Sequence, residues 1–273
     1  YIMSFFQAII MGILQGLTEF IPVSSSGHLV LFQYFFGMGE SENIVFELFL
    51  HLGTLFAVLI YFRKTLWELF KSLFCWGNTV NREQHRKNRT LVYYLIISTL
   101  ATAIIYILVG DYFKAAFAMP ILVAFFLLIT GGIVFLSDYF VDQGIPASNV
   151  GFFRAVIIGI GQGIAILPGV SRSGTTIAYS LATGMKRKDA AQYSFLLSIP
   201  AILAGNLSEY KALTELDSTM LQNYLVGFVS SFIIGYLVIA FLIRLIENSR
   251  LKYFGIYCWI AGLLSIILLA LGI

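Results

Sequence analysis

The sequence predicts an all-α polytopic membrane protein built as an inverted-topology repeat, with six transmembrane helices plus two re-entrant helical hairpins. Three observations carry that prediction. Of 273 residues, 59% are hydrophobic and only 11% charged, where a soluble domain carries about 25% charged residues. Apolar stretches long enough to cross a bilayer recur along the whole chain. A third signal is a pattern of glycine, glutamine and serine near the N-terminus that returns past the middle of the chain. The net charge of +3 is too small and scattered for nucleic-acid binding and fits basic cytoplasmic loops.

Residues 1–36 are apolar but broken by "IPVSSSGHL" at 21–29, so they read as two short helical pieces around a break. Spans are expected at 44–62, 91–110 and 119–137. Residues 151–185 are interrupted in the same way, and spans at 191–207, 220–243 and 253–273 complete the set. Irregular backbone at membrane depth persists only where it is buried in protein or faces water. Both broken segments are therefore expected to enter and return.

Loop charge sets the orientation. The stretch 63–90 holds Arg63, Lys64, Lys71, Arg82, Arg86, Lys87 and Arg89 and reads as a cytoplasmic loop. "GMGESEN" (37–43) and the surroundings of Asp111 then lie outside, and 138–150 inside. "KRK" (186–188) and the Arg244, Arg250 and Lys252 cluster also read as inside, while Glu209, Glu215 and Asp217 read as outside. Cys75 and Cys258 form no spaced pair. No signal-peptide cleavage site is visible, and an opening on Tyr1 points to a short missing leader or tag.

Shifting the sequence by 147 residues lays 5–27, "FFQAIIMGILQGLTEFIPVSSSG", over 152–174, "FFRAVIIGIGQGIAILPGVSRSG", without gaps. Phe5, Phe6, Gly12, Gln15, Gly16, Val23, Ser24, Ser26 and Gly27 are among the positions identical in the two copies. The chain reads as a single membrane domain over 1–273. Repeat one covers 1–137, with its re-entrant part at 1–36; repeat two covers 151–273, re-entrant at 151–185. Each copy is a broken hairpin followed by three spans, and an odd number inverts the second copy. Such repeats place their site near the midplane, where the breaks meet.

The first break supplies Gln15, Glu19, Ser24, Ser25, Ser26 and His28, and the second Ser171, Arg172, Ser173, Thr175 and Thr176. Gln15 and Glu19, four apart, share a helix face. Any one serine here has a plain structural reading as a helix cap. Glu19 and Arg172 are different, because an ionisable side chain inside a membrane segment is costly and marks function. Helices starting near 25 and 172 present free N–H groups, and Gly27 and Gly174 allow close backbone approach. With the arginine fork and the hydroxyls they make an anion cradle. A carboxylate and a histidine add proton transfer or nucleophilic work. Glu47 and His51 stand at i, i+4 in a span, either supporting the site or forming a local structural pair. An inverted-repeat transporter or flippase for an anionic or lipid-phosphate substrate would need the cradle without that chemistry.

"QGLTEFIPVSSSGH" (15–28) and "PGVSRSGTT" (168–176), with "HLGT" at 51–54, make the chain similar to the bacterial undecaprenyl-diphosphate phosphatases, the bacitracin resistance protein family. The resemblance covers essentially the whole chain. It implies hydrolysis of undecaprenyl diphosphate to the monophosphate and phosphate, which recycles the lipid carrier for peptidoglycan synthesis and confers bacitracin resistance, since bacitracin sequesters the substrate. It further implies a divalent cation, Mg²⁺ or Ca²⁺, a homodimer, and a bacterial plasma (inner) membrane location with the site opening to the outer, periplasmic face. On this resemblance Glu19, Ser25, His28 and Arg172 are the catalytic set. Gln15, Ser24, Ser26, Gly27, Ser171, Ser173, Gly174 and Thr176 bind substrate, and Glu19 either accepts a proton as general base or ligates the cation, with Gln15 beside it. Ser25, His28 and water remain open as nucleophile, with Ser25 favoured.

Overall fold

The computed structural model describes residues 4–38, 43–74, 81–208, 220–247 and 250–272. Eleven α-helices run through them: α1 (Phe5–Thr18), α2 (Ser25–Phe35), α3 (Asn43–Tyr61), α4 (Arg63–Phe74), α5 (Arg82–Phe117), α6 (Pro120–Ser137), α7 (Phe152–Ile164), α8 (Arg172–Ala182), α9 (Arg187–Ser208), α10 (Leu221–Glu247) and α11 (Lys252–Ala270). No β-strand occurs among the described residues. Five helices, α6, α9, α10, α11 and the Arg82–Gly110 part of α5, are long and apolar enough to cross a membrane. α3 and α4, bent by 71° at their junction, make a sixth candidate span when taken together. This is an integral membrane protein whose spans fall where the apolar stretches placed them. The acidic stretch with Glu209, Glu215 and Asp217 lies outside the described residues, as do Cys75 and residues 39–42 of the stretch 37–43.

The two interrupted segments each form a pair of short helices around a break. α1 begins with a capping box, in which Ser4 Oγ accepts from Gln7 N and Gln7 Oε1 accepts from Ser4 N. It stops at Thr18, before Pro22. α2 and α8 start at 25 and 172 because Ser24 and Ser171 cap them, accepting from Gly27 N at 3.3 Å and Gly174 N at 3.0 Å.

The stretch 63–90 departs from the loop expected of it. Its described residues are mostly helical, in α4 and the first turns of α5. Leu66, Leu69 and Ser72 turn inward at helical spacing between charged residues, so the polar composition hides an amphipathic helix. Ser72 joins the two helices: its Oγ meets His85 Nδ1 at 2.9 Å and accepts from Asn88 Nδ2 at 2.9 Å. Glu83 and Lys87, 2.7 Å apart at i, i+4, support the exposed first turns of α5.

Small residues decide which helices meet, as membrane packing requires when lipid is as apolar as the core. α1 lies along α10 through Gly12 and Gly16; a methyl on Gly12 would come within 2.6 Å of Ser230 Cβ. α7 lies along α5 through Gly159 and Gly163; a methyl on Gly163 would come within 2.6 Å of Ile105 Cβ. Those glycines are the repeat-matched pairs of the sequence, 147 residues apart. α6 and α11 pack closely where Gly131 faces Gly255 and Trp259. Phe20, Phe62, Tyr193 and Phe195 fill the core beneath the breaks.

Candidate active site

The breaks meet. Gly169, at φ +94, takes a left-handed conformation that suits glycine. A methyl on Gly27 would lie 2.9 Å from Gly169 Cα, so two backbones touch where side chains would separate them. Ser173 Oγ donates to Ile21 O across the junction at 3.4 Å. Thr130 of α6 locks the second break from behind, donating to Gly169 O at 2.7 Å and accepting from Ser171 N at 2.9 Å.

Glu19 stands at the centre. It is buried and takes donors from both breaks. Ser25 Oγ donates to its Oε2 at 2.6 Å, Gln15 Nε2 donates to the same oxygen at 3.0 Å, and Arg172 Nη2 donates to Oε1. Such charge-assisted bonds are about twice as strong as neutral ones, and they satisfy a carboxylate that burial would otherwise penalise heavily. Two donor–acceptor capacities in the cluster stay open: Arg172 Nη1 and Gln15 Oε1 are buried without a hydrogen-bond partner among the described residues. An unpaired guanidinium nitrogen beside a serine hydroxyl is a ready receptor for a phosphate oxygen. A buried amide oxygen beside a carboxylate suits a hard divalent cation that draws its remaining ligands from phosphate and water. No group of three or more His, Cys, Asp or Glu gathers here among the described residues, so a cation would rest on Glu19, Gln15 and the oxygens of a bound phosphate.

Ser24 has φ +72, and among the described residues it is the one non-glycine with positive φ. Strain of this kind costs on the order of 1–3 kcal/mol and persists where the surroundings hold it. It turns the chain sharply enough to place Ser25 on Glu19 while Ser24 Oγ caps α2 and sits 3.4 Å from Ser26 Oγ.

The remaining expected residues are placed differently. His28 makes its ring bonds away from Ser25 and Glu19. Nδ1 bonds Ser24 O at 2.8 Å and Nε2 meets Tyr257 Oη at 2.9 Å, with the two rings stacked. A carbonyl only accepts, so Nδ1 carries the proton and Nε2 receives the Tyr257 hydroxyl. Ser171, Ser173 and Thr176 are buried and spend their hydroxyls on protein. Ser171 Oγ caps α8 and lies 3.2 Å from Ser173 Oγ. Thr176 Oγ1 donates to Arg172 O at 2.8 Å and meets Ser194 Oγ at 2.5 Å. The space beside Gly27 and Gly174 is likewise filled by protein, by Gly169 and by Val134. These groups shape the second break and hold the Arg172 backbone.

His51, half of the i, i+4 pair with Glu47, turns its ring nitrogens to other partners. Glu47 accepts from Gln33 Nε2 at 2.9 Å, while His51 Nδ1 bonds the Glu47 backbone carbonyl at 2.8 Å. His51 Nε2 then faces Glu19 Oε2 at 4.0 Å. The "HLGT" stretch is the signal that singles it out. Tyr257 had none, being one of 15 tyrosines.

Fold and site together define a class: an integral membrane protein in which two broken helical segments bring a serine, a carboxylate and a guanidinium into one buried cluster. The sequence matches the family described as Bacitracin resistance protein BacA over residues 8–264, and the chain belongs to that family. It is 38% identical over 275 residues to an undecaprenyl-diphosphatase of Desulforapulum autotrophicum, covering 97% of this chain and 98% of that one. It is 40% identical to an undecaprenyl-diphosphatase of Methanobrevibacter smithii, covering 96% of each chain. One of Treponema denticola is 39% identical, again over 96% of each.

Proposed function

We propose that this protein hydrolyses undecaprenyl diphosphate to undecaprenyl phosphate and inorganic phosphate, recycling the lipid carrier of cell-wall synthesis and so conferring bacitracin resistance. The observation that carries the reading is Glu19, bound by Ser25 of one break and Arg172 of the other. Relatives matched over nearly their full length bear the name of that activity.

In the reaction, Ser25 Oγ gives its proton to Glu19 and attacks the terminal phosphorus. The bond to the bridging oxygen breaks, and that oxygen leaves on undecaprenyl phosphate. Arg172 holds the transferring group and offsets its charge. Water then attacks the phosphoserine, inorganic phosphate departs, and the serine regains a proton. A 2.6 Å bond from Ser25 to Glu19, with His28 engaged by Tyr257, favours Glu19 as the base. His28 supports α2 one turn beyond the nucleophile. Glu19 and Gln15 would hold a Mg²⁺ or Ca²⁺ ion, which supplies charge neutralisation of the diphosphate when bound. Hydroxyls committed to anchoring the breaks, together with a paired serine and carboxylate, favour chemistry over transport.

The same reading makes residues 1–137 and 151–273 an inverted pair, with 1–36 and 151–185 re-entrant from opposite faces. Its support is the exchange of partners: each repeat's first hairpin helix packs, through matched glycines, on the second span of the other repeat. The segment 63–90 lies on the cytoplasmic side of the inner membrane, the site opens to the outer face, and the protein functions as a homodimer. Purified protein supplied with polyprenyl diphosphate and Mg²⁺ or Ca²⁺ should release phosphate. No release with any cation, from protein that remains folded, would overturn the proposal.

A further inference from the structure

A second cleft, of about 420 Å³, lies between α4, α5, the Pro146–Ser148 turn and α9, and shares no residue with the cluster around Glu19. Its floor is apolar, with Leu69, Leu91 and Leu196, while Lys64, Lys87 and Gln192 stand on its polar wall. Two carboxylates also line it, and both are committed. Glu68 pairs with Lys71 at 3.4 Å, and Asp189 accepts from Ala147 N at 3.0 Å. Lys87 is 2.7 Å from the exposed Glu83, whereas Lys64 has no ion-pair partner among the described residues. The surrounding segment 63–90 carries seven Lys and Arg against Glu68 and Glu83.

The depth of the cleft follows from α4. Set at 71° to α3, this helix would lie closer to the membrane plane than to the membrane normal when α3 crosses the bilayer. Trp67, Phe70 and Phe74 share its outer face at 55%, 53% and 70% exposure. Trp67 stacks on Phe70, with Lys71 over its ring at 5.4 Å. An amphipathic helix with aromatic side chains on one face and lysines beside them lies at the headgroup level. With α4 at that level, the cleft behind it would sit at headgroup depth, lined by leucines and with the exposed Lys64 and Lys87 at its mouth.

We infer that this cleft is a binding site for an anionic phospholipid, its phosphodiester held by Lys64 and Lys87 and the start of its tails by the leucine floor. A basic pocket between spans at the interface recognises anionic headgroups by charge, each lysine contributing about fivefold in affinity. The site is separate from the diphosphatase chemistry and stands whether or not that reading holds.

Full-length protein equilibrated with equal amounts of phosphatidylglycerol and phosphatidylcholine, then analysed by native mass spectrometry, tests it. Wild-type protein should retain phosphatidylglycerol at least about tenfold over phosphatidylcholine. The double variant K64Q/K87Q should bring the two within about twofold, and K64R/K87R should keep the preference. Both positions are exposed, and an unchanged melting temperature and an unchanged rate of phosphate release certify the fold. Equal retention of both lipids by wild-type protein, or undiminished preference in K64Q/K87Q, overturns the inference. So does displacement of the lipid by millimolar glycerol phosphate, which would mark a soluble anion as the occupant.

Discussion

At the residue scale, the account rests on one carboxylate. Glu19 joins Ser25 and Arg172, which lie 147 positions apart in sequence, and Gln15 fixes the remaining orientation. Ser25→Ala removes the attacking oxygen and should lower kcat by at least about a thousandfold, as expected when a nucleophile is deleted. Phosphate-release kinetics on detergent-purified protein check this. Ser24 gives a sharper pair of predictions. Ser24→Ala loses the cap and keeps the strained φ of +72, so stability should drop by about 1 kcal/mol. Ser24→Gly loses the cap for a few tenths but relieves the strain, so it should match or exceed wild type by up to about 1 kcal/mol. Thermal melts of both variants separate the two effects. Glu19 and Arg172 were legible in the sequence because charge in an apolar stretch has few uses. The hydroxyls of Ser171, Ser173 and Thr176 were not. Spacing says that they cluster at a break, and only the packing says that their acceptors are protein carbonyls and neighbouring serines.

At the scale of elements, glycine decides which helix meets which. A methyl at Gly12 would also stand 2.7 Å from Gly227 O, with no flexible atom to yield. Gly12→Leu and Gly163→Leu should each destabilise the protein by about 1–3 kcal/mol or prevent its assembly. Size-exclusion profiles and melting temperatures check that. Gly132→Ala, at a position with open space around it, should be near neutral. Helix ends were well marked from sequence: serine caps set the starts of α2 and α8 at the expected residues, and apolar runs set the spans. The segment 63–90 was misread as a loop because composition outweighed period. Its charged residues flank a short apolar stripe, and α4 is recognised only when Leu66 and Leu69 are seen to turn inward together. The 71° turn between α3 and α4 carries no proline or glycine at Phe62 and so left no mark in the sequence.

At the scale of the molecule, two matched halves of one sequence pattern meet around Glu19. The repeat alignment was visible in the chain, and so was the prediction that "IPVSSSG" faces "PGVSRSG"; that the contact runs through Gly27 and Gly169 was not. The proposed opposite insertion of the halves has its own check. Single cysteines at Gln84 and Gln143, in protein whose native cysteines are replaced, should react with impermeant thiol reagents from the cytoplasmic side only, and one at Gly37 from the outer side only. Labelling of all three from one side would contradict the inverted arrangement. The central claim is that the second break supplies half of a hydrolytic site built around the first. Its most direct test is kcat/KM for phosphate release from undecaprenyl diphosphate by folded Arg172→Ala protein. A fall of at least about a thousandfold, with the melting temperature retained, is the result predicted for loss of the group that stabilises the transferring phosphoryl. Activity within tenfold of wild type would contradict it.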